Sequence, residues 1–543
     1  MDYSSIKIVG FTAGAHSCGI AYMDAGKIVC VLEEERFTRQ KCFVDYENDF
    51  ERFPTESIYA LIDDKRLNVN FADVDYFTSF FPYEFAKEIL KSILNFDLPK
   101  EKYIKIDHHE SHATASYFLS GFQDDTLIFC ADASGGTNNY NSKTWIGSNG
   151  KMTYVDGITN QRKSLGHFYA ALTELLGFKR LKDEGKVVGL SGHGKFWQEF
   201  YHVLDNTLKV EGTKTDKDNH PVEFGQLYLD LYKNFFGLIG SKYFKSKHAL
   251  ADMAFTGQVF FENKVVDIIN NFHIKYPHIR KLALSGGIFA NVKLNKRLNS
   301  LHWVDELFVL PTMGDEGLPL GCCLAVHKKF NSILPHKLDN IFFGIRYTND
   351  EVIEAGQEFV YRDIDFDFIV KELLDKKILA LYQGRSEHGA RALGNRSIIC
   401  DCTHEETYKI LNDKLQRNDF MPFAPAVLDE DVDMIFDVPK SKYTCEFMTM
   451  LVDTKPEWQE LIPTVVHPID KTARIQIVTA KSNPLFYLIL KKYKEITGYG
   501  ILVNTSFNVH NEPIVETPQN AFNHLRNGLI DHLITNVGIY SLC

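Results

Sequence analysis

The sequence predicts an α/β protein built from two domains of unequal size. Three observations lead to this fold class: short apolar strands end in turns that contain glycine, stretches with helical spacing of apolar residues follow several of them, and 543 residues exceed what one hydrophobic core commonly holds. Pro335 and Gly344 lie in a polar stretch that separates the two parts. We therefore place the domains at residues 1–345 and 346–543.

The first domain repeats a strand–turn–strand pattern. A predicted strand at 6–11 meets a turn that contains Gly14 and His16, and two more strands follow. A later strand at 126–131 ends in Asp132 and small residues, and two strands follow there as well. Such turns bring backbone amides close to phosphate or another polar ligand, although they also occur in structural hairpins. The repetition favours the ligand-binding interpretation.

Another glycine turn follows the predicted strand 281–284. Four small or polar residues lie there: Ser285, Gly286, Gly287 and Asn291. A strand that meets a helix N-terminus through glycine favours phosphate or nucleotide binding, because exposed amides and the helix dipole attract anions. The turn matches neither GxxxxGK(S/T) nor GxGxxG. Lys186 lies in a further glycine-rich segment, 181–194, which we predict to be a polar loop.

The second domain holds the densest polar cluster of the chain, at 386–397. Arg391 and Arg396 lie five residues apart among glycines, after a predicted strand. Two such guanidinium groups suit a forked grip on phosphate or carboxylate, and the same pattern is typical of a surface loop with ion pairs. Two further segments carry polar side chains: Arg417 at a basic helix end, and Asn504 and Ser506 after a predicted strand at 501–503.

Composition and charge argue against several functional classes. Hydrophobic residues make up 45% and charged residues 24% of the chain, as in soluble globular proteins. The net charge of −11 disfavours an extended nucleic-acid-binding surface. No apolar run reaches the length of a membrane span, and the first residues lack the pattern of a signal peptide. The ten cysteines are scattered without zinc-site spacing, so we expect buried thiols and a cytoplasmic location.

A candidate metal site starts from His108 and His112. On a helix, residues four apart project from one face, so the two imidazoles could converge on one divalent ion. The same spacing fits two buried histidines of a helix face, and acidic partners are needed to decide. Asp132 and Asp315 each follow a predicted strand at a small-residue turn, which suits them as carboxylate ligands. The HExxH and HxxEH protease patterns are absent.

Eight ordered segments together resemble the O-carbamoyltransferases of nodulation, cephamycin and tobramycin-type pathways. They extend over nearly the whole chain: LEEERFTR at 32–39, HHESHA at 108–113, EGKVVGL at 184–190, SGGIFANV at 285–292, GDEG at 314–317, RALGNRS at 391–397, MPFAP at 421–425 and NTSFN at 504–508. The chain departs from the common family pattern at Ser17, where Asp is usual.

This resemblance implies a particular α/β fold and activity. The N-terminal domain is expected to be of the actin/Hsp70/sugar-kinase class, like that of tRNA threonylcarbamoyl transferases. The C-terminal domain is expected to resemble threonylcarbamoyl-adenylate synthases. In such an enzyme the C-terminal domain joins carbamoyl phosphate and ATP into carbamoyl adenylate, and the N-terminal domain transfers the carbamoyl group to a hydroxyl of a small molecule, sugar or nucleotide.

The resemblance also implies roles for individual residues and partners. His108, His112, Asp132 and Asp315 are the expected ligands of a divalent metal, with Fe2+ as the expected ion, and ATP is the expected co-substrate with Mg2+. The candidate catalytic residues are His16, Arg391, Arg396 and Arg417. The candidate substrate- or nucleotide-binding residues are Lys186, Ser285, Gly286, Gly287, Asn291, Asn504 and Ser506. The expected partners are carbamoyl phosphate, ATP and a hydroxyl-bearing acceptor, without a membrane, and a homodimer is the default assembly.

Two other functions remain open at this point. A threonylcarbamoyl-type enzyme would modify tRNA with bicarbonate and threonine, which the acidic composition disfavours. A non-catalytic nucleotide- and metal-binding module would bind ATP and leave it intact. His16 could serve as the general base for the acceptor hydroxyl, or it could be a turn residue without a chemical role.

Overall fold

The computed structural model describes residues 5–14, 17–41, 53–133, 135, 140–158, 164–207, 247–416 and 421–542. The chain divides into two compact units. The first, called the composite unit, consists of Met1–Thr78, Lys87–Tyr103 and Leu338–Cys543. The second, called the central unit, consists of Ser79–Ala86 and Ile104–Lys337. The N-terminal strands therefore group with the last third of the chain, and the division at residue 345 into sequence domains stays a prediction.

The helices alternate with strands along much of the described chain. In chain order, the helices are α1 Glu34–Thr38, α2 Thr55–Asp63, α3 Tyr83–Leu94, α4 His108–Phe118, α5 Leu165–Leu175, α6 Glu184–Ser191, α7 Gln198–Thr207, α8 Lys247–Lys275, α9 Val292–Asn299, α10 Leu318–Phe330, α11 Asn349–Ala355, α12 Phe366–Leu374, α13 Glu405–Lys414, α14 Val432–Ile435, α15 Pro484–Thr497 and α16 Pro518–Arg526.

The strands are mostly short and apolar. In chain order, they are β1 Lys7–Thr12, β2 Gly19–Asp24, β3 Lys27–Glu33, β4 Tyr76–Ser79, β5 Tyr103–Lys105, β6 Thr126–Ala131, β7 Ser142–Ser148, β8 Lys151–Ile158, β9 Lys281–Ser285, β10 Glu306–Val309, β11 Phe342–Arg346, β12 Val360–Arg362, β13 Leu379–Tyr382, β14 Arg385–Glu387, β15 Arg396–Cys400, β16 Ala424–Leu428, β17 Phe436–Asp437, β18 Val452–Thr454, β19 Thr472–Ala473, β20 Gln476–Val478, β21 Ile501–Ser506, β22 His532–Thr535 and β23 Ile539–Ser541.

Two five-stranded sheets share one topology. The first has the order β3-β2-β1-β4-β5, and the second has the order β8-β7-β6-β9-β10. In the first sheet, β1 pairs antiparallel with β2 and parallel with β4. In the second sheet, β6 pairs antiparallel with β7 and parallel with β9. The repeated order agrees with the strand–turn–strand repeat in the sequence and with the expected actin/sugar-kinase class. The α/β fold class is confirmed.

The core of the central unit surrounds the second sheet and the long helix α8. Side chains of β6 and β9 alternate between two faces, as strand geometry requires. On one face, Phe129 and Leu284 lie with Phe260, Phe261 and Val265 of α8 in one buried cluster. On the other face, Ile128 and Ala283 lie with aromatic residues of α4. The sheet is therefore covered on both sides, and α4 carries the two histidines of interest.

The C-terminal part of the composite unit is organised around an eight-stranded sheet. Its strand order is β12-β23-β22-β13-β15-β21-β16-β20. Apolar side chains on one face pack with α12 and α15, and those on the other face pack with residues that include Phe522 of α16. Strands β15 and β21 lie side by side and antiparallel, with Ser397 opposite Ser506. This pairing brings two of the polar sequence segments together.

The segment 184–191 is a helix, whereas the sequence predicted a polar loop over 181–194. Gly185 and Gly189 lower helix propensity, but Val187 and Val188 are buried in the core that includes α8. Burial of this apolar pair outweighs the cost of the two glycines. Lys186 therefore projects from a helix.

In the part of the chain that the structure describes, no helix is long and apolar enough to span a membrane. The eight cysteines in this part are all buried. Burial raises the pKa of thiols such as Cys400 and Cys445, which keeps them protonated.

The turn after β9 requires a residue without a side chain at Gly286, and this requirement can be tested. Gly286 has φ 96° and ψ 154°, and a Cβ atom there would lie 2.1 Å from the carbonyl oxygen of Ala131. Gly286→Ala should lower the free energy of unfolding by about 2 kcal/mol or more, because both backbone strain and a backbone clash arise. Urea unfolding followed by circular dichroism measures this change.

Gly185→Ala is the matched control. Gly185 lies in α6, and a Cβ atom there would have no atom within 4 Å apart from its chain neighbours and the backbone of the same helix. Alanine should leave stability unchanged or raise it by about 0.5–1 kcal/mol, because it has the higher helix propensity. Equal effects of the two substitutions would contradict the assigned role of Gly286.

Candidate metal centre and arginine loop

Four side chains from three elements of the central unit converge on one point. His108 and His112 lie on the first turns of α4, Asp132 directly follows β6, and Asp315 begins a single 3-10 turn before α10. One ligand atom from each residue can be chosen so that all four lie within 4.8 Å of one another. The structure thus brings together the four side chains that the sequence analysis named as candidate metal ligands.

The distances between histidine and aspartate atoms match a coordination shell. His112 Nε2 lies 3.3 Å from Asp132 Oδ2 and 3.4 Å from Asp315 Oδ1. His108 Nε2 lies 3.7 Å and 3.5 Å from the same two oxygens. Ligand atoms at the corners of a tetrahedron with bonds of about 2.1 Å lie about 3.4 Å apart. The four side chains therefore need little movement to bind one ion.

The hydrogen bonding of these atoms also fits a metal. His108 Nε2 and Asp132 Oδ2 are buried, and neither has a hydrogen-bond partner among the described residues. Buried polar atoms without partners are costly in a protein and call for an explanation. Coordination of a cation would satisfy both atoms. Two imidazole and two carboxylate ligands form a mixed nitrogen and oxygen set that suits divalent transition metals, including iron.

The histidines and carboxylates of the cluster shift one another's pKa values. Burial alone would lower the pKa of His112, but the carboxylates of Asp132 and Asp315 outweigh it and raise that pKa to about 9. Burial opposes ionisation of Asp132 as well, yet the two histidines hold its pKa well below the usual value. The pKa of Asp315 is also lowered, because attraction to the histidines outweighs burial. Both carboxylates are therefore ionised, and a bound cation would displace the proton of His112.

Close backbone approaches hold the ligand-bearing elements in place. Gly321 of α10 lies so near α4 that a Cβ atom there would be 2.3 Å from the carbonyl oxygen of Ser111. The Ser111 hydroxyl donates a hydrogen bond of 2.9 Å to the carbonyl of Leu318. A Cβ atom on Gly287 would lie 2.9 Å from Asp132 Oδ1. Small residues at these two positions therefore allow the helices and turns to meet at the cluster.

His109 is adjacent in sequence to a ligand but is not part of the four-residue cluster. Its ring packs against Gly135, where a Cβ atom would lie 2.1 Å from His109 Cε1. Burial and the neighbouring His108 lower the pKa of His109 to about 3, so the ring is neutral. Neither ring nitrogen has a hydrogen-bond partner within the described ranges.

The other candidate binding residues of the central unit have different surroundings. Gly286 and Gly287 form the turn beside Asp132, and Ser285 is buried at the end of β9. Lys186 forms an ion pair of 3.1 Å with Asp183. Asn291 caps α9 by accepting from Leu294 N, and its amide exchanges two hydrogen bonds with Gln258. The structure thus gives Asn291 a supporting role, and the two glycines border the metal cluster.

The second group of candidate residues lies in the composite unit, around a segment here called the arginine loop, residues 388–395. Arg396, which directly follows the loop, is fully buried, and its guanidinium group stacks 3.8 Å from the centre of the Tyr382 ring. It donates hydrogen bonds to the carbonyls of Gln383 and Asn395. Arg391, within the loop, is partly exposed. Arg396 therefore stabilises the loop in addition to any ligand contact.

Amide side chains from three other strands and helices hold the arginine loop. Asn504 donates to the carbonyl of Ala392 at 3.1 Å and to Gln476 Oε1 at 2.6 Å. Gln476 and Asn483 each donate to the carbonyl of Leu393. Ser506 follows two residues after Asn504 on β21. Asn504 thus contacts the residue after Arg391, and Ser506 lies opposite Ser397, the residue after Arg396.

A buried carboxylate organises the end of the loop. Glu387 Oε1 accepts hydrogen bonds from the backbone N–H groups of Leu393, Asn395 and Arg396, at 2.6, 2.8 and 3.2 Å. Sequence reasoning missed the roles of Glu387, Gln476 and Asn483. No local pattern marks the two amides, because their partners lie far away along the chain.

His16 and Arg417 lie outside the residues that the structure describes. Their catalytic roles stay predictions.

The structure describes an α/β protein of two compact units, with a buried His/Asp cluster in one and, in the other, a polar loop that carries Arg391 and is followed by Arg396. Comparison with known proteins assigns the class. Residues 77–324 match the carbamoyltransferase N-terminus model and residues 370–541 match the carbamoyltransferase C-terminus model. The first segment includes the His/Asp cluster, and the second includes Arg391, Arg396, Asn504 and Ser506.

Similar proteins occur in archaea and bacteria. An uncharacterized protein of Methanocaldococcus jannaschii, MJ1051, is 31% identical over 97% of this chain and 98% of its own length. A second, MJ1058, is 32% identical over 76% of this chain and 70% of its length. Nodulation protein NolO of Bradyrhizobium diazoefficiens is 28% identical over 79% of this chain and 77% of its length.

Among solved structures, that of T. kodakarensis HypF is similar with a TM-score of 0.34 and 13% identity, over 60% of this chain and 48% of that one.

The chain belongs to the carbamoyltransferase family and is a transferase. The resemblance seen in the sequence is therefore confirmed.

Asp315→Asn tests the metal centre with little change of shape. The variant should lower affinity for a divalent ion by about a hundredfold or more, because a neutral amide replaces an ionised ligand. Anaerobic titration with Fe2+ and metal analysis of the purified protein measure the change. Asp305→Asn is the control, since Asp305 forms an exposed ion pair with Arg280. Unchanged metal binding in Asp315→Asn would remove that residue from the ligand set.

Proposed function

We propose that the protein is an ATP-dependent O-carbamoyltransferase that forms carbamoyl adenylate and transfers its carbamoyl group to a hydroxyl. The observation that carries this proposal is the family match over two segments, each of which contains one of the two polar sites. Adenylate formation needs cationic groups that hold several phosphates. Carbamoyl transfer needs a group that polarises the carbamoyl carbonyl and a base for the alcohol.

The first step is proposed to occur beside the arginine loop. Water releases phosphate from carbamoyl phosphate, and a carbamate oxygen then attacks the α-phosphorus of ATP, so that pyrophosphate leaves and carbamoyl adenylate forms. Arg391, Arg396 and Arg417 offset the repulsion between the anionic reactants, and Asn504 and Ser506 orient them. ATP enters with Mg2+. Arg396 Nε supports this role, because it is buried and has no hydrogen-bond partner among the described residues.

The second step is the proposed transfer of the carbamoyl group to the acceptor. The acceptor oxygen attacks the carbamoyl carbon, the bond to AMP breaks, and the acceptor proton passes to a base, for which His16 is the candidate. A divalent metal, with Fe2+ proposed, would supply a Lewis acid when held by His108, His112, Asp132 and Asp315. The backbone near Gly286 and Gly287 would contact the adenylate, with Lys186, Ser285 and Asn291 as further binding residues.

The proposed acceptor is a hydroxyl of a small molecule, sugar or nucleotide. A screen of such alcohols with carbamoyl phosphate and ATP, read by mass spectrometry for the gain of one carbamoyl group, would identify it. We also propose a cytoplasmic location and a homodimer, and native mass spectrometry tests the latter.

Carbamoyl-phosphate-dependent release of pyrophosphate from ATP tests the reaction. The protein should release pyrophosphate with carbamoyl phosphate and should not need threonine, bicarbonate or tRNA. Dependence on threonine and bicarbonate would instead indicate a threonylcarbamoyl-type enzyme. Binding of ATP without its cleavage under all these conditions would indicate a non-catalytic module.

Arg391→Ala tests the role of the arginine loop in the first step. Pyrophosphate release should fall about a hundredfold in kcat/KM, because one cationic group that offsets phosphate charge is lost. Arg362→Ala is a matched control from the same unit, since Arg362 lies exposed at the end of β12. The control should stay within about twofold of the natural protein. Equal activities of both variants would exclude Arg391 from the site.

His108→Ala combined with His112→Ala separates the two steps. The double variant should lose bound metal and carbamoyl transfer, because two of four ligands are absent. It should retain carbamoyl-dependent pyrophosphate release, since the arginine loop is unchanged. Undiminished metal content and transfer would overturn the proposed use of this cluster.

A further inference from the structure

The segment 33–39 contacts the arginine loop, which carries Arg391, and the loop that follows β21, the strand that carries Asn504 and Ser506. It contains the end of β3 and helix α1, and it belongs to the composite unit together with those loops. Glu33, Arg36 and Arg39 belong to the LEEERFTR segment, which neither the metal centre nor the proposed phosphate site uses. Their contacts with residues more than 350 positions away give this segment a role.

Glu33 and Arg36 bind the two backbone polar groups of Gly389 in the arginine loop. Glu33 Oε1 accepts a hydrogen bond from the N–H of Gly389, and Arg36 Nη2 donates to the Gly389 carbonyl at 2.7 Å. Arg36 Nη2 also approaches the carbonyl of Glu387 at 3.4 Å. Gly389 has φ 100°, which a side chain would disfavour. The pair therefore determines where the loop begins and in which direction it turns.

The effect of this contact extends to the arginine side chains. Arg36 contacts the carbonyl of Glu387. The side chain of Glu387 in turn accepts hydrogen bonds from the N–H groups of Leu393, Asn395 and Arg396. Displacement of Glu387 would therefore move the backbone on both sides of Arg391 and at Arg396. Arg36 itself is buried, forms an ion pair of 3.4 Å with Glu33, and donates to the carbonyls of Glu387 and Gly389, so its contacts position the loop.

Arg39 makes the corresponding contact with the second loop. It donates to the carbonyls of Pro513 and Ile514 at 2.8 and 2.7 Å. The next residue, Val515, donates to the carbonyl of Phe507, which in turn donates to the carbonyl of Arg396. Phe507 directly follows Ser506, the last residue of β21. Arg39 thus supports the chain immediately after Asn504 and Ser506.

Glu34 anchors the segment to its own surroundings. Its buried carboxylate accepts hydrogen bonds from Glu56 N, Ser57 N and the Ser57 hydroxyl, at 2.9, 2.8 and 2.8 Å. These contacts fix α1 to the N-terminus of α2. Glu33, Arg36 and Arg39 therefore extend from a segment that is itself held in place, as residues that position a loop must.

We propose that Glu33, Arg36 and Arg39 are positioning residues for carbamoyl-adenylate formation, which hold the arginine loop and the loop after β21 in register. This inference rests on the proposed function. It makes the N-terminal segment a requirement for the first chemical step, although the candidate residues for that step lie beyond residue 390.

Arg36→Ala and Arg39→Ala, with Arg66→Ala as the control, test the inference in the full-length protein. Arg66 belongs to the same unit and forms ion pairs with Asp64 and Glu351 near the surface. Carbamoyl-dependent pyrophosphate release should fall about a hundredfold in kcat for the first two variants, because small displacements of catalytic groups are costly. The control should change less than about twofold. Metal binding by the central unit should be unchanged in all three.

Two further readouts separate positioning from general stability. Low, non-denaturing guanidinium should restore part of the activity of Arg36→Ala, whereas sodium chloride at the same ionic strength should not. Hydrogen exchange should accelerate at residues 389–396 in Arg36→Ala and remain unchanged in helix α12. Activity equal to that of Arg66→Ala, or unchanged exchange in the arginine loop, would overturn the inference. Arg39→Ala provides the same kinetic test if Arg36→Ala does not fold.

The failure of the proposed function has a different signature. A natural protein that releases no carbamoyl-dependent pyrophosphate would overturn that function, together with the chemical role inferred for the three residues. Active natural protein and fully active variants would overturn the positioning role alone. The exchange measurement reports on the contact of Arg36 with the loop in either case.

Discussion

The buried attraction between two carboxylates and two imidazoles is the constraint on which the central unit depends. Asp132 and Asp315 stay ionised although they are enclosed, and burial of such charges is unfavourable unless positive charge compensates them. In the metal-free protein the His112 imidazolium supplies part of that compensation. A divalent cation would supply more. The need to bring these four groups together explains why α4, the end of β6 and the turn before α10 meet at one point.

Close packing of backbone makes this meeting sterically feasible. Gly321 lets α10 approach α4, and Gly286 and Gly287 let the turn after β9 approach Ala131 and Asp132. At each position a Cβ atom would lie closer than 3 Å to another atom. The same absence of side chains leaves backbone next to the candidate metal ligands, where an adenylate could approach. The structural demand for glycine at these positions therefore coincides with the proposed binding of an adenylate there.

In the composite unit, the arginine loop is a polar segment that is held mainly by hydrogen bonds. The backbone of the arginine loop is bound by Glu387, Gln476, Asn483 and Asn504. The N–H groups of Leu393 and Asn395 and the carbonyls of Ala392 and Leu393 are thereby satisfied inside the protein. The segment 33–39 adds charged groups from the other end of the chain. A loop held by many hydrogen bonds can keep arginine side chains in place before substrates bind, which lowers the reorganisation that catalysis would require.

The sequence by itself determined the α/β class, the repeated strand pattern and the four side chains of the His/Asp cluster. These features depend on local periodicity, turn chemistry and ligand type, or on a resemblance carried by ordered motifs. Only the tertiary structure decided that 184–191 is helical, because burial of Val187 and Val188 outweighed local propensity. It alone showed that Asn291 pairs with Gln258 and that residues 33–39 hold the arginine loop. Such contacts join residues far apart in the chain, and no local pattern records them because they depend on how the strands and helices pack.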